Sequence, residues 1–122
     1  MKTTFLGLVL LLSVHVSFAQ EQKTSFEKIS FVTTAAGMSV ELDWKKGDED
    51  ISYFIVERST DGIDFKQCGI VFLSEDPDFV EYKFRDKISL LTNGLVYRVG
   101  LVNTQNRLSY LPIKRIAAPA SF

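Results

Sequence analysis

Apolar and polar residues alternate along most of this chain in runs of eight or nine residues, and a period of two predicts β-strands. The clearest run is FVEYKFRD, Phe79 to Asp86, where Val80, Tyr82 and Phe84 face one way and Glu81, Lys83 and Arg85 the other. In MSVELDWK the apolar set is Val40, Leu42 and Trp44, with Glu41, Asp43 and Lys45 outward. Each reads as a strand with one dry and one wet face. EKISFVTT (27–34), SYFIVERS (52–59), FKQCGIVFL (65–73), LVYRVGLVN (95–103) and LSYLPIKRI (108–116) follow the same logic, giving seven strands. Pro112 lacks a ladder donor, which sends the last of them to a sheet edge. No segment has the length and spacing of an amphipathic helix. Seven short strands separated by polar or glycine-containing turns predict an all-β, two-sheet β-sandwich of about seven antiparallel strands.

The first residues break this pattern. Lys2, the apolar run from Phe5 to Phe18, and the small residues Ser17 and Ala19 read as a secretory signal peptide cleaved after Ala19. The run is shorter than the roughly 20 residues that span a bilayer, so no membrane span is expected after cleavage. The expected organisation is a signal peptide at 1–19, a flanking segment at 20–27, one domain at 28–117 and a tail at 118–122. The expected location is the periplasm, the cell surface or the extracellular space.

Cleavage changes the chemistry that remains. The chain loses one of its 14 Lys and Arg, leaving 13 against 15 Asp and Glu, and this slight acidity gives no basic face for nucleic acid. His15 is the only histidine and lies in the signal peptide, which excludes Ser-His-Asp and Cys-His catalysis and imidazole-based zinc sites from the mature chain. Cys68 stands alone, so neither an internal disulfide nor a CxxC site can form, and a buried thiol is expected. The expectation is a protein that acts without catalysis, cofactor or metal.

Three acidic stretches were weighed as ligand sites. ERSTDGIDF, Glu57 to Phe65, contains only a fragment of a calcium loop, and its Ser-Asp-Gly-aromatic spacing is one residue tighter than an Asp-box. An Asp-Gly pair between two strands, with glycine at positive φ, accounts for it as a hairpin turn. Asp48-Glu49-Asp50 and Glu75-Asp76-Pro77-Asp78 fall between strands without ligand spacing and read as solvated loops. The same holds for Lys46-Gly47-Asp48, a chance likeness to an integrin-binding tripeptide.

Taken in order, VELDW with Trp44, YFIVERSTDGIDF, YKFRD and LVYRV around Tyr97 resemble a fibronectin type III domain, of the variety found in secreted and surface proteins of Bacteroidetes. The resemblance covers Ile29 to Ile116. It implies an immunoglobulin-like sandwich filled by Trp44, Phe54, Val56, Tyr82, Phe84, Tyr97, Val99 and Leu101. It also implies a tyrosine corner in which the Tyr97 hydroxyl bonds the backbone near Leu91. Departures are Thr92-Asn93-Gly94 in place of a proline-containing turn and Cys68 at an aliphatic position. If Phe54 and Val56 point inward, Tyr53 and Ile55 point outward beside Val96 and Arg98, a mixture typical of protein interfaces. The expected function is an interaction module or adhesin contacting a protein partner or a second copy through this face. The alternative is a carbohydrate-binding module presenting Tyr53 and Tyr110 to a polysaccharide.

Overall fold

The computed structural model describes residues 22–89 and 94–117. The expected signal peptide, Leu91 and the tail at 118–122 lie outside them. Eight strands follow one another: β1 (Ser25–Thr34), β2 (Gly37–Lys45), β3 (Ile51–Ser59), β4 (Lys66–Phe72), β5 (Glu81–Ile88), β6 (Leu95–Asn103), β7 (Leu108–Tyr110) and β8 (Lys114–Ile116). They form a three-stranded sheet in the order β1-β2-β5 and a five-stranded sheet in the order β4-β3-β6-β7, with β8 also on β6. Every pairing is antiparallel. The all-β sandwich expected from the alternation is therefore the observed fold. No helix among the described residues is long and apolar enough to cross a membrane.

Several boundaries differ from the sequence reading, two of them with a local cause. LSYLPIKRI is two three-residue strands, β7 and β8, because Pro112 cannot donate to a ladder; the Leu111 amide before it still donates to the Val99 carbonyl at 2.9 Å, and both pieces lie on the edge of β6. Phe79 precedes β5 and closes a turn in which its amide donates to the Asp76 carbonyl at 3.1 Å.

The inner faces bury Val40, Leu42 and Trp44 of β2 against Phe54 and Val56 of β3 and Tyr97, Val99 and Leu101 of β6. Trp44 meets Phe54 edge-on at 5.4 Å between centroids and stacks beside Tyr82 at 6.4 Å. Burying such side chains stabilises the fold by roughly 1.5–3 kcal/mol each. Strict alternation cannot supply all of this core, and β-bulges supply the rest. One extra residue near Glu27 lets both Phe26 and Ile29 of β1 face inward, and another near Ser52 does so for Ile51 and Phe54 of β3. On β4 a third bulge at Cys68 precedes Gly69, whose missing side chain admits the ring of Phe84. A Cβ there would stand 2.3 Å from two ring carbons.

At one end of the sandwich the core turns polar. Asp86 of β5 takes the inward position opposite Val40 and is 7% exposed. Its Oδ2 accepts from Arg58 Nη1 of β3 at 2.7 Å and from the Tyr97 hydroxyl of β6 at 2.5 Å. The Tyr97 hydroxyl thus donates to a carboxylate, and the backbone near Leu91, where the tyrosine-corner bond was expected, lies outside the described residues. Burial, and then the bond to Asp86, push this hydroxyl well above the ordinary tyrosine range. Burial, with the Asp86 charge adding to it, also pushes the half-buried Cys68 thiol up to about 12.

ERSTDGIDF is strand, turn and strand. Ser59 Oγ accepts from the amides of Asp61 (3.2 Å) and Gly62 (2.8 Å) while its hydroxyl donates to Asp61 Oδ1 at 2.8 Å. The same Asp61 oxygen accepts from the amides of Ile63 (2.8 Å) and Asp64 (2.9 Å). Side-chain oxygens thus replace the ladder across the loop, and Gly62 takes φ +79°. Its bonds from the Asp64 and Ile63 amides hold the Asp61 carboxyl down from 3.8 to about 2.

Two outcomes follow from this packing. Gly69→Ala should lower stability by about 1–3 kcal/mol in urea denaturation, because the Phe84 ring must leave its seat; an unchanged midpoint would show that the ring moves freely. The depressed Asp61 pKa contributes stability above the unfolded value near 3.8 that is lost as pH falls through about 2. An NMR acid titration should therefore give Asp61 a midpoint near 2, with the Ile63 and Asp64 amides shifting together with it. A midpoint near 3.8 would mean those amides do not bond the carboxylate.

Candidate functional site

The two outer faces of the sandwich have opposite characters. On the three-stranded sheet the register sets Glu41 opposite Arg85 and Asp43 opposite Lys83. Arg85 Nη2 meets Glu41 Oε2 at 2.8 Å, and Lys83 Nζ lies 3.6 Å from Glu41 Oε1 and 4.0 Å from Asp43 Oδ1. The bond from Arg85 holds the Glu41 carboxyl below its usual range. This is a solvated lattice of charges.

The five-stranded sheet presents apolar side chains instead. Because Phe54, Val56 and Arg58 point inward, Tyr53, Ile55, Glu57 and Ser59 point outward. Their partners on β6 are Val102, Gly100, Arg98 and Val96. All four residues expected on the binding face, Tyr53, Ile55, Val96 and Arg98, therefore share it. They are not equally accessible. Ile55 is 7% exposed and Val96 is 3% exposed. Gly100 leaves a notch over which Ile55 and Leu108 close, since a Cβ there would stand 2.7 Å from Ile55 Cγ1 and 2.9 Å from Leu108 Cδ1. Val96 lies between Ser59 and Arg115 in the ladder, and the Arg115 guanidinium reaches across to Gly62. Ile55 and Val96 thus form a floor, which corrects the expectation that they offer themselves to a partner.

Arg98 is likewise committed within the chain. Its Nε donates to Glu57 Oε1 at 2.7 Å, and its guanidinium carbon sits 4.1 Å from the Phe65 ring centroid and 3.9 Å from that of Tyr110. The Tyr110 hydroxyl donates to Glu57 Oε2 at 3.2 Å, and burial, with the Glu57 charge, raises its pKa. Two rings, one guanidinium and one carboxylate form a closed stack. What remains open is the apolar rim: Phe72 is 72% exposed, Leu108 47%, Ile70 44% and Tyr110 40%. The Phe72 ring leans on the half-buried Tyr53, with centroids 6.1 Å apart. Sequence reading missed Phe72, Ile70 and Leu108. Phe72 and Ile70 alternate with the inward Val71, so their parity was visible; the side of the sheet was not, because the bulge at Cys68 offsets it.

The acidic loops hold the chain together. Glu49 accepts from the Thr24 amide at 3.0 and 3.1 Å and from its hydroxyl at 2.7 Å; although burial pushes its carboxyl up, these bonds hold it below the usual range. Asp48 Oδ2 accepts from the Gln22 amide at 2.9 Å, while Asp50 accepts from Thr104. Gly47 is pressed against the Gln22–Thr24 backbone, so Lys46-Gly47-Asp48 is a tether for the N-terminal segment. Asp76 Oδ1 caps its own turn by accepting from the Asp78 amide at 2.9 Å. Among the described residues no three His, Cys, Asp or Glu are grouped to hold a metal ion. Trp44, which is 1% exposed, is a core residue.

No protein-family model matches the chain, and no curated protein matches it. Solved structures share its fold. It is similar to part of a β-1,2-glucanase from Parabacteroides distasonis, with a TM-score of 0.58 and 17% identity over 86% of this chain and 14% of that one. It is also similar to part of a pectate lyase from Pectobacterium carotovorum, with a TM-score of 0.55 and 17% identity over 83% of this chain and 28% of that one. The chain thus spans about a seventh and about a quarter of those two proteins, and at this identity the likeness is one of fold.

Proposed function

We propose that this chain is an exported, non-catalytic interaction module of the fibronectin type III kind, and that it contacts a protein partner through the outer face of its five-stranded sheet. The observation that carries the reading is the contrast between the faces. One outer face is neutralised by its own ion pairs, while the other leaves Phe72, Ile70, Leu108 and Tyr110 in water around a rigid floor of Ile55, Val96 and the Arg98 stack. A contiguous apolar patch rimmed by polar groups marks an interaction surface more often than a bare one. Aromatic side chains beside a desolvated arginine are the residues on which binding energy concentrates. Asp48, Glu49, Asp61 and Asp86 are each bonded to backbone amides, hydroxyls or a guanidinium group, so none of these four stands free as an acid or base.

A second reading has its own support. Tyr53, Phe72 and Tyr110 place three aromatic rings on this face, and the two fold neighbours are named as a glucanase and a pectate lyase. A carbohydrate-binding module would lay sugar rings on Phe72 and Tyr110.

The two readings separate in one set of measurements. Immobilised chain and a Leu108→Asp variant, matched for folding by circular dichroism, are exposed to native cell-envelope extract. The variant should retain at least about tenfold less of any protein captured by the parent, the scale of a lost interface anchor. Equal capture by both would remove this face from the function. Calorimetric titration with β-1,2-glucan and with pectate should give no heat; binding abolished by Phe72→Ala would establish the carbohydrate reading in its place.

A further inference from the structure

We infer that the free edge of β4 pairs with β4 of a second copy, antiparallel, joining two five-stranded sheets. Among the described residues β4 is hydrogen-bonded to β3 alone, so its other side presents unpaired N–H and C=O groups. The other three edges carry devices that discourage pairing. Pro112 breaks the β7–β8 edge into two three-residue pieces, β1 bears a bulge with exposed Glu27 and Lys28, and β5 carries the charges Glu81, Lys83, Arg85 and Lys87 along its length. The second half of β4, Gly69-Ile70-Val71-Phe72, has no proline and no charge, and Ile70 and Phe72 stand exposed beside the open edge.

Charge identifies the occupant as the same strand. Lys66 opens β4, and Glu75 and Asp76 follow its end; neither Lys66 nor these acids belong to an ion pair among the described residues. A parallel copy would set Lys66 beside Lys66. An antiparallel copy with Val71 on the two-fold axis sets Ile70 opposite Phe72 and brings the Lys66 end of each strand toward the Glu75–Asp76 turn of the other, each twice. Inward and outward residues then stay in phase, since directly opposed residues of an antiparallel pair share a face. The bulge at Cys68 ends the straight part of the strand, so the new ladder is short, centred on Val71 and bounded by the two charged ends. A contact of this size belongs with weak, reversible interfaces.

The inference is independent of partner binding at Leu108, because Leu108 lies across the sheet from β4. Sedimentation velocity from about 1 μM to about 1 mM should show a monomer–dimer equilibrium with a Kd on the order of 10–100 μM, the weak end for small interfaces. Ile70→Lys, confirmed folded by circular dichroism, should raise that Kd at least about tenfold by placing a charge against Phe72. Gln67→Lys adds a second cation beside Lys66 at the end that meets the acidic turn of the other copy and should tighten the dimer about two- to fivefold at low salt, with the gain lost near 0.5 M salt, roughly where screening acts within a few ångströms. A chain that stays monomeric, or a dimer indifferent to Ile70→Lys, overturns the pairing. A dimer weakened by Ile70→Lys but indifferent to Gln67→Lys overturns the antiparallel orientation that pairs the charged ends.

Discussion

One carboxylate decides how the two sheets face each other. Asp86 belongs to the three-stranded sheet, and the groups it accepts from, Arg58 and Tyr97, belong to the five-stranded one. A buried carboxylate without partners would cost several kcal/mol, so the sheets sit where both donors reach it. At the other end Trp44, Phe54 and Tyr82 meet ring against ring, and the contact there is apolar and tolerant of small slides. The polar end is not tolerant, because a hydrogen bond weakens steeply with misalignment. Once Arg58 and Tyr97 point inward, alternation sends their neighbours Glu57 and Arg98 outward. The stack of Phe65, Arg98 and Tyr110 on the outer face is in this sense a consequence of the buried pair.

That link bears on function. A partner surface needs side chains that do not reorganise on contact, since each side chain immobilised at an interface costs roughly 0.5–1.5 kcal/mol. Here the floor is already immobile: Ile55 under Leu108, Val96 between Ser59 and Arg115, Arg98 between two rings. The exposed rim rests on that floor. The opposite face, with lysines and arginines free to exchange carboxylate partners, has no such preparation.

The strands and the sandwich were legible because alternation is a local property of the chain. What alternation cannot show is offset. Each bulge adds one residue and reverses which side follows, so Phe26 with Ile29, and Ile51 with Phe54, share the core despite odd spacing. On β4 the bulge at Cys68 likewise hid which side of the sheet faces out, and with it the exposed Phe72. Asp86 was hidden for another reason. Its position in FVEYKFRD is inward by alternation, yet its type argues outward, and only the arrival of Arg58 and Tyr97 from distant strands resolves the conflict. The Ser59–Asp61–Gly62 turn was readable throughout, since all its bonds are made within a few residues. Tyr53, Ile55, Val96 and Arg98 were correctly grouped on one face; their coverage depended on Gly100 and Arg115, whose roles are set by tertiary contact.

The position of Trp44 has a spectroscopic consequence. It is the chain's only tryptophan, it is 1% exposed, and its ring lies edge-on to Phe54 across the gap between the sheets. Intrinsic fluorescence excited at the indole therefore reports on the separation of the two layers and not on the outer face of the five-stranded sheet. Emission should follow unfolding as a single clean signal while remaining indifferent to whatever settles on the outer face. A change in emission on adding a ligand would accordingly mean that the packing around Trp44 itself had changed.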